Sequence, residues 1–412
     1  MQLICSADIQ PFKTISMTTN LINQRNFFSL TALVIYLTFG LDSLLKVDVG
    51  VQLHFGLLSI LVIVASYVIT SPRRLFAPLR HDPLYPLFIA YCIINGFIFA
   101  QPAHKMVSAY LVVSLCVFVY IYNVRSHFSH GFFKLFQVTL IVSGLIQYLA
   151  YKVFGHQISF IDADYYTASS SISSRLRGFF IEPNWYSVAI IFNTLLLYGN
   201  TPFQYARRHP FITICTLVVI VLNGSFAGVG LLAFVYSVPI FKKSIVKGSL
   251  VALLLFVTIF STFSFREVIS QKGAGESLFN HSSRIVPLIK VIELQARSDI
   301  TNIVFGHGFG AWATISERHS LSALNIELTE ATRDSSELHL FILELGVFGL
   351  VLLVFDLAWA YYKCPKEKFH IRGGIIIFFV FLALYPTLKF WMYMPYYFYI
   401  RSEIFYNTRG NS

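Results

Sequence analysis

The chain has 412 residues, 56% hydrophobic and only 12% charged, with a formal net charge of +11. Soluble domains carry about 25% charged residues, so this composition, with a mean hydropathy of +0.66, excludes an ordinary soluble fold and predicts an all-α polytopic membrane protein. The basic excess sits in short loops rather than on one face, which argues against nucleic acid as a partner, and five scattered cysteines predict neither a disulfide framework nor a metal site.

The first 26 residues are polar and lack a signal-peptide core, so the first apolar run is expected to remain as a span. Apolar runs predict spans near 27–45, 51–70, 84–100, 107–123, 132–154, 182–198, 211–223, 226–241, 247–265, 337–361 and 373–390. A short twelfth covers 391–404, where Trp391, Tyr393, Tyr396, Tyr397 and Tyr399 suit an aromatic interface belt. The tight turn 223–225 joins two runs as a hairpin. One set of loops holds Lys13 and Arg25; Arg73, Arg74 and Arg80; Arg125 and Lys134; Arg207 and Arg208; Lys242, Lys243 and Lys247; and Lys363, Lys366, Lys368 and Arg372. The alternate set holds Lys46, Lys105 and two long polar segments. The positive-inside rule therefore predicts a cytoplasmic N-terminus, with segments 155–181 and 266–336 on the outer face. The organisation is a bundle over 1–265, a large outer loop over 266–336 between spans nine and ten, and C-terminal spans over 337–412. Ionisable residues inside the runs are few, and Asp42 and Asp356 read as lying near span ends.

The large outer segment has its own pattern. Ile285, Leu288, Ile289 and Ile292 recur on one helical face. Pro287 falls in the first turn, where it is tolerated. Such a helix packs on the spans or lies on the membrane surface. Next comes Phe305-Gly306-His307-Gly308-Phe309-Gly310, whose spacing matches neither nucleotide-binding glycine pattern and predicts a tight turn. Arg175, Arg177, Arg284, Arg297, Arg318 and Arg333 also fall on the outer segments, against the topological bias. Arginine presents a planar fork to phosphate oxygens, and a lipid-linked pyrophosphate at the membrane surface would use it. The bland alternative is surface pairing with Glu276, Glu293, Glu317, Asp334 or Glu337.

Arg175-Leu176-Arg177-Gly178-Phe179-Phe180-Ile181-Glu182-Pro183-Asn184 resembles the Arg–Gly–Phe–x–x–polar–Pro–Asn element of the O-antigen polymerase and ligase superfamily. Ser335-Ser336, nine residues, then Gly346-Val347-Phe348-Gly349 resembles a second element, and Asp299 to Gly310 resembles the glycine turn ahead of it. Arg297 with Gly308 also fits an Arg, ten residues, Gly spacing found among the polymerases. The ligases carry His where this chain has Ser335, so the resemblance favours a polymerase over the sister ligase. It implies a GT-C-like bundle of about 11–12 helices, acting without a cofactor at the outer face of a bacterial inner membrane. Its partners would be undecaprenyl-pyrophosphate-linked oligosaccharide, membrane lipid and a chain-length regulator protein. Arg175, Arg177, Arg284, Arg297 and Arg333 are then expected to hold the departing pyrophosphate. Glu337, His339 or Glu182, with Asp334 as a further candidate, would take the acceptor hydroxyl proton. A lipid or sugar transporter is the rival from another class.

Overall fold

The apolar runs fold as helices whose ends are set largely by proline and glycine. The structure is a computed structural model that describes residues 31, 33–36, 46–48, 52–100, 104–154, 176–178, 180, 183–263, 285–321, 336–384 and 394–406. Arg175, Glu182, Arg284, Arg333, Asp334, Ser335, Asp42 and Lys389 lie outside those residues. A small antiparallel hairpin pairs β1 (Lys46–Asp48) with β2 (Gln52–His54). Helices follow as α1 (Phe55–Thr70), α2 (Pro72–His81), α3 (Leu84–Phe99), α4 (His104–Val124) and α5 (His130–Phe154). After the outer segment come α6 (Pro183–Tyr198), α7 (Pro202–Arg208), α8 (Pro210–Asn223), α9 (Phe226–Phe241) and α10 (Ile245–Phe263). The large outer segment contributes α11 (Ile285–Ala296), α12 (Ile300–Phe305) and α13 (Trp312–His319). The chain then returns through α14 (Glu337–Lys363), α15 (Phe369–Leu384) and α16 (Met394–Phe405).

Four helices begin at proline, whose fixed φ suits the first turn and whose missing N–H is no loss there. The expected turn after α8 is made by Gly224 in the left-handed region (φ 66°), and Ser225 caps α9 by accepting from Gly228 N at 3.1 Å. Two junctions are sharp elbows, 106° between α1 and α2 and 113° between α7 and α8.

Among the described residues three helices are long and apolar enough to cross a membrane alone: Val107–His127, His130–Phe154 and Glu337–Lys363. Counting each elbowed pair as one span raises the number to five. Several other expected spans appear as helices of 14 to 16 residues between proline or glycine breaks. Large apolar side chains stay exposed around the bundle, among them Ile69, Leu87, Phe97, Val153, Phe211, Leu254 and Val351. A belt of this kind is what a hydrocarbon solvent tolerates and water does not.

The basic loops that the charge pattern assigns to one side do gather at one end of the bundle. Asn123 donates to Arg74 O, Arg125 stacks over Tyr406, Asn200 donates to Glu367 O, and Lys368 pairs with Glu403. Near this end lies a fully buried ionic cluster. The Arg401 guanidinium makes five hydrogen bonds of 2.6–2.7 Å, to both carboxylate oxygens of Asp82, both of Asp356 and the Tyr397 hydroxyl. Tyr122 OH adds a bond to Asp82 at 2.6 Å. Asp356 is therefore 2% exposed and sealed in a network, not a span-end residue in water as the sequence suggests. All five guanidinium donors are used, so the cluster clamps α2, α14 and α16 together and leaves no open ion-binding valence on the arginine.

Candidate functional site

The site is built at the opposite end, where the outer segment meets the start of α14. Gly346 breaks that helix with φ 61° and ψ −163°, a region essentially confined to glycine. A break in a span strands carbonyl groups that lipid cannot satisfy. Here the glycine-rich turn satisfies them: His307 N–H donates to Leu343 O and Gly308 N–H to Glu344 O, both at 2.9 Å. Tyr91 OH reaches Leu345 O at 3.2 Å. Gly306, Gly308 and Gly310 all have positive φ (76°, 98° and 99°). A Cβ on Gly306 would overlap the Glu344 carbonyl, and one on Gly346 would lie 2.5 Å from Gly306 N. Phe305–Gly310 is thus the expected tight turn. Its partner is the Gly346–Gly349 element, so the two glycine motifs meet in space.

Two side chains that sequence reasoning missed lock this joint. Asn95, buried on α3, donates to Phe305 O at 2.7 Å and accepts from Phe309 N at 2.8 Å. Glu344, fully buried, accepts from Trp312 N at 3.0 Å and so caps α13 from another helix. Asn95 lies in an apolar run and carries a detectable signal as a lone amide there. Glu344 sits two residues before the GxxG element and carries one as a charge inside a span.

A small second core forms above the joint from Val291, Trp312, Leu321, Leu340 and Leu343. The face of α11 that is buried is Pro287, Val291 and Gln295. Ile289 and Ile292 point outward instead, each 50% exposed, which corrects the expected docking face. A regular helix offers two apolar stripes in this sequence, and packing against α14 within the small core selects the one containing Val291. One helical turn from the members of this core stand polar groups that are buried and without a partner among the described residues: Gln295 Oε1, Ser316 Oγ and Ser336 Oγ. Buried polar groups are nearly always satisfied, so these three are exceptions beside an apolar cluster. Glu337 and His339, 0% and 2% exposed, lie two positions apart in the first turn of α14 and so on different faces of it. They are enclosed, not at an open mouth. Ser336 is the N-cap residue, yet its hydroxyl makes no capping bond.

His307 stands at the edge of this unit, with Nε2 3.4 Å from Ser298 Oγ. Burial lowers its pKa below the ordinary 6.5, with Asp299 acting in the opposite direction. Arg297 is exposed just past the end of α11, and Ile289 and Ile292 on α11 and Ile300 at the start of α12 are exposed as well. Arg177 lies elsewhere in the fold's contact pattern. It is 5% exposed, and its N–H donates to Gln147 Oε1 at 2.9 Å. The neighbouring Leu176 N–H reaches Leu222 O, and Asn223 Nδ2 ties Leu176 O to Pro183 O. Gly178 turns with φ 55° against Tyr186. The described part of the first motif is therefore pinned to α5, α6 and α8. Glu337 and His339 both lie in the first turn of α14, and the backbone of Arg177 is tied to α5.

Among the described residues no group of histidine, cysteine, aspartate and glutamate has metal-binding geometry. No protein-family model, curated protein or solved structure matches the chain.

Proposed function

We propose that this chain is a glycosyltransferase that polymerises lipid-linked oligosaccharide repeat units at the outer face of a bacterial inner membrane. The donor is a chain on undecaprenyl pyrophosphate. An acceptor hydroxyl attacks the anomeric carbon, the glycosidic bond forms, and the bond to the pyrophosphate lipid breaks. The observation that carries the reading is the burial of Glu337 and His339 at the start of α14, the helix on which the two family-like glycine motifs lock together. Either the buried carboxylate of Glu337 or the buried imidazole of His339 could take the acceptor proton. The exposed residues around the α11–α12 turn support the donor side, since Arg297 offers charge for a pyrophosphate and Ile289, Ile292 and Ile300 offer apolar surface for an isoprenoid. In this reading the remaining short apolar helices complete a GT-C-like bundle of about 11–12 spans, and Arg177 orders the first motif.

The test is the surface glycan of a strain lacking the protein, compared with one carrying Glu337→Gln or His339→Ala. Loss of polymer with single repeat units retained on the acceptor supports polymerisation. Complete absence of attached glycan would identify a ligase, and unchanged polymer would end the proposal.

A further inference from the structure

The end of the bundle remote from this site holds a cleft of about 330 Å³ in the elbow between α7 and α8. Its lining includes His130, Asn200, Gln204, Tyr205, Arg208 and His209, and contains no carboxylate. We infer that this cleft binds the phosphodiester headgroup of an anionic phospholipid from the surrounding bilayer.

Four features converge on that ligand. First, the charge is of one sign. Arg208 is exposed and lines the cleft, with the imidazoles of His130 and His209 beside it. Second, two long helices open there, α5 at His130 and α8 directly after His209. Their helix dipoles favour an anion at that end. Third, Tyr205 is 7% exposed, stacks on Tyr198 at 4.5 Å and lies 4.7 Å from the His209 ring, and its hydroxyl has no partner among the described residues. Fourth, the elbow sets α7 across the direction of α8 by 113° and leaves Phe203 and Phe211 exposed beside the basic residues. Apolar side chains flanking a cationic cleft match the boundary between headgroup and acyl chain.

A free phosphate would need the cleft but not the aromatic flanks. The same end of the protein repeats the arrangement in α2, turned 106° from α1, with Arg73, Arg74 and Arg80 and an exposed Phe76. Asn123 fixes α2 to the end of α4, and the chain then turns into His130 of the cleft. Two basic helices with exposed phenylalanines thus lie at the same end, as a bilayer surface requires. The inference is independent of the chemistry proposed at the outer site.

Native mass spectrometry of the full chain in neutral detergent tests it, with short-chain phosphatidylglycerol, short-chain phosphatidylcholine and inorganic phosphate as probes. Wild type is expected to retain phosphatidylglycerol over phosphatidylcholine. Arg208→Gln should weaken phosphatidylglycerol binding about fivefold, the effect of one basic residue at an anionic surface. His130→Gln provides a second exposed variant inside the cleft and should also weaken it. Arg207→Gln, on the same helix outside the cleft, should leave it unchanged. Equal retention of the two lipids would overturn the inference. So would Arg207→Gln weakening binding as much as Arg208→Gln, which would mean diffuse surface charge. Full competition by inorganic phosphate at equal concentration would also overturn it, leaving a free-anion site.

Discussion

Replacing Arg401 by leucine tests whether the buried ionic cluster is the clamp its geometry describes. The substitution removes five hydrogen bonds and leaves the carboxylates of Asp82 and Asp356 buried without their cation. Removing one partner of a buried ion pair typically costs about 3–5 kcal/mol, because the surviving charge is stranded. Here two carboxylates share one guanidinium, so the cost belongs at the upper end of that range. The same charge count predicts an asymmetry. Asp356→Asn leaves a one-to-one pair of Arg401 with Asp82, so it should cost less than Arg401→Leu. Asp82→Asn should cost more than Asp356→Asn, since Asp82 also accepts from Tyr122. Tyr122→Phe removes a single bond to a charged group, worth about 1.5–3 kcal/mol. Replacing all three charged members by apolar residues should recover much of the loss, as desolvation is then relieved. The assay is equilibrium unfolding in mixed micelles by added sodium dodecyl sulfate, read by tryptophan fluorescence. A loss below about 1 kcal/mol for Arg401→Leu, or an equal cost for Arg401→Leu and Asp356→Asn, would refute the argument.

The glycine joint gives the next prediction: Gly346→Ala forces a side chain into backbone space that essentially only glycine occupies, at about 1–3 kcal/mol, and pushes against Gly306 N. Hydrogen exchange should quicken in 300–316 and 337–345 while α4 and α5 stay protected; unchanged exchange would mean the joint is loose. His307 adds a pH dependence. Its pKa is lowered in the folded chain, so the unfolded form binds more protons near and below 6.5, and the stability held above that value is lost as pH falls through it. Protection factors for 285–321, taken against the intrinsic exchange rate at each pH, should fall on acidification, and His307→Gln should flatten that response. Finally, Arg297→Gln should lower polymerisation from purified lipid-linked repeat units about 10²–10³-fold, the usual effect of losing one preorganised donor. Arg297→Lys should recover only part of that rate, because an ammonium cannot reproduce the fork.

Local chemistry determined much of this protein by itself. Apolar runs, prolines at helix starts and the glycine at 224 set most helices, because length and terminal φ are local properties. Among the described residues the basic loops near 74, 125, 200 and 368 meet at one end, as their common sign groups them. Glu337, His339 and the turn at 305–310 were legible for the same reason, as polar or glycine positions in an apolar setting. Tertiary structure decided the rest. Nothing in the run Leu343–Val354 announces a break except Gly346 and Gly349, and the break exists because the turn at 306–308 replaces the hydrogen bonds it removes. The face of α11 that docks was chosen by packing on α14 within the small core, not by its own periodicity. Arg401 and Asp82 are 319 positions apart, and no spacing rule links them. A buried charge must find its partner wherever the fold brings one, so which charges meet is a property of packing and not of the chain read along its length.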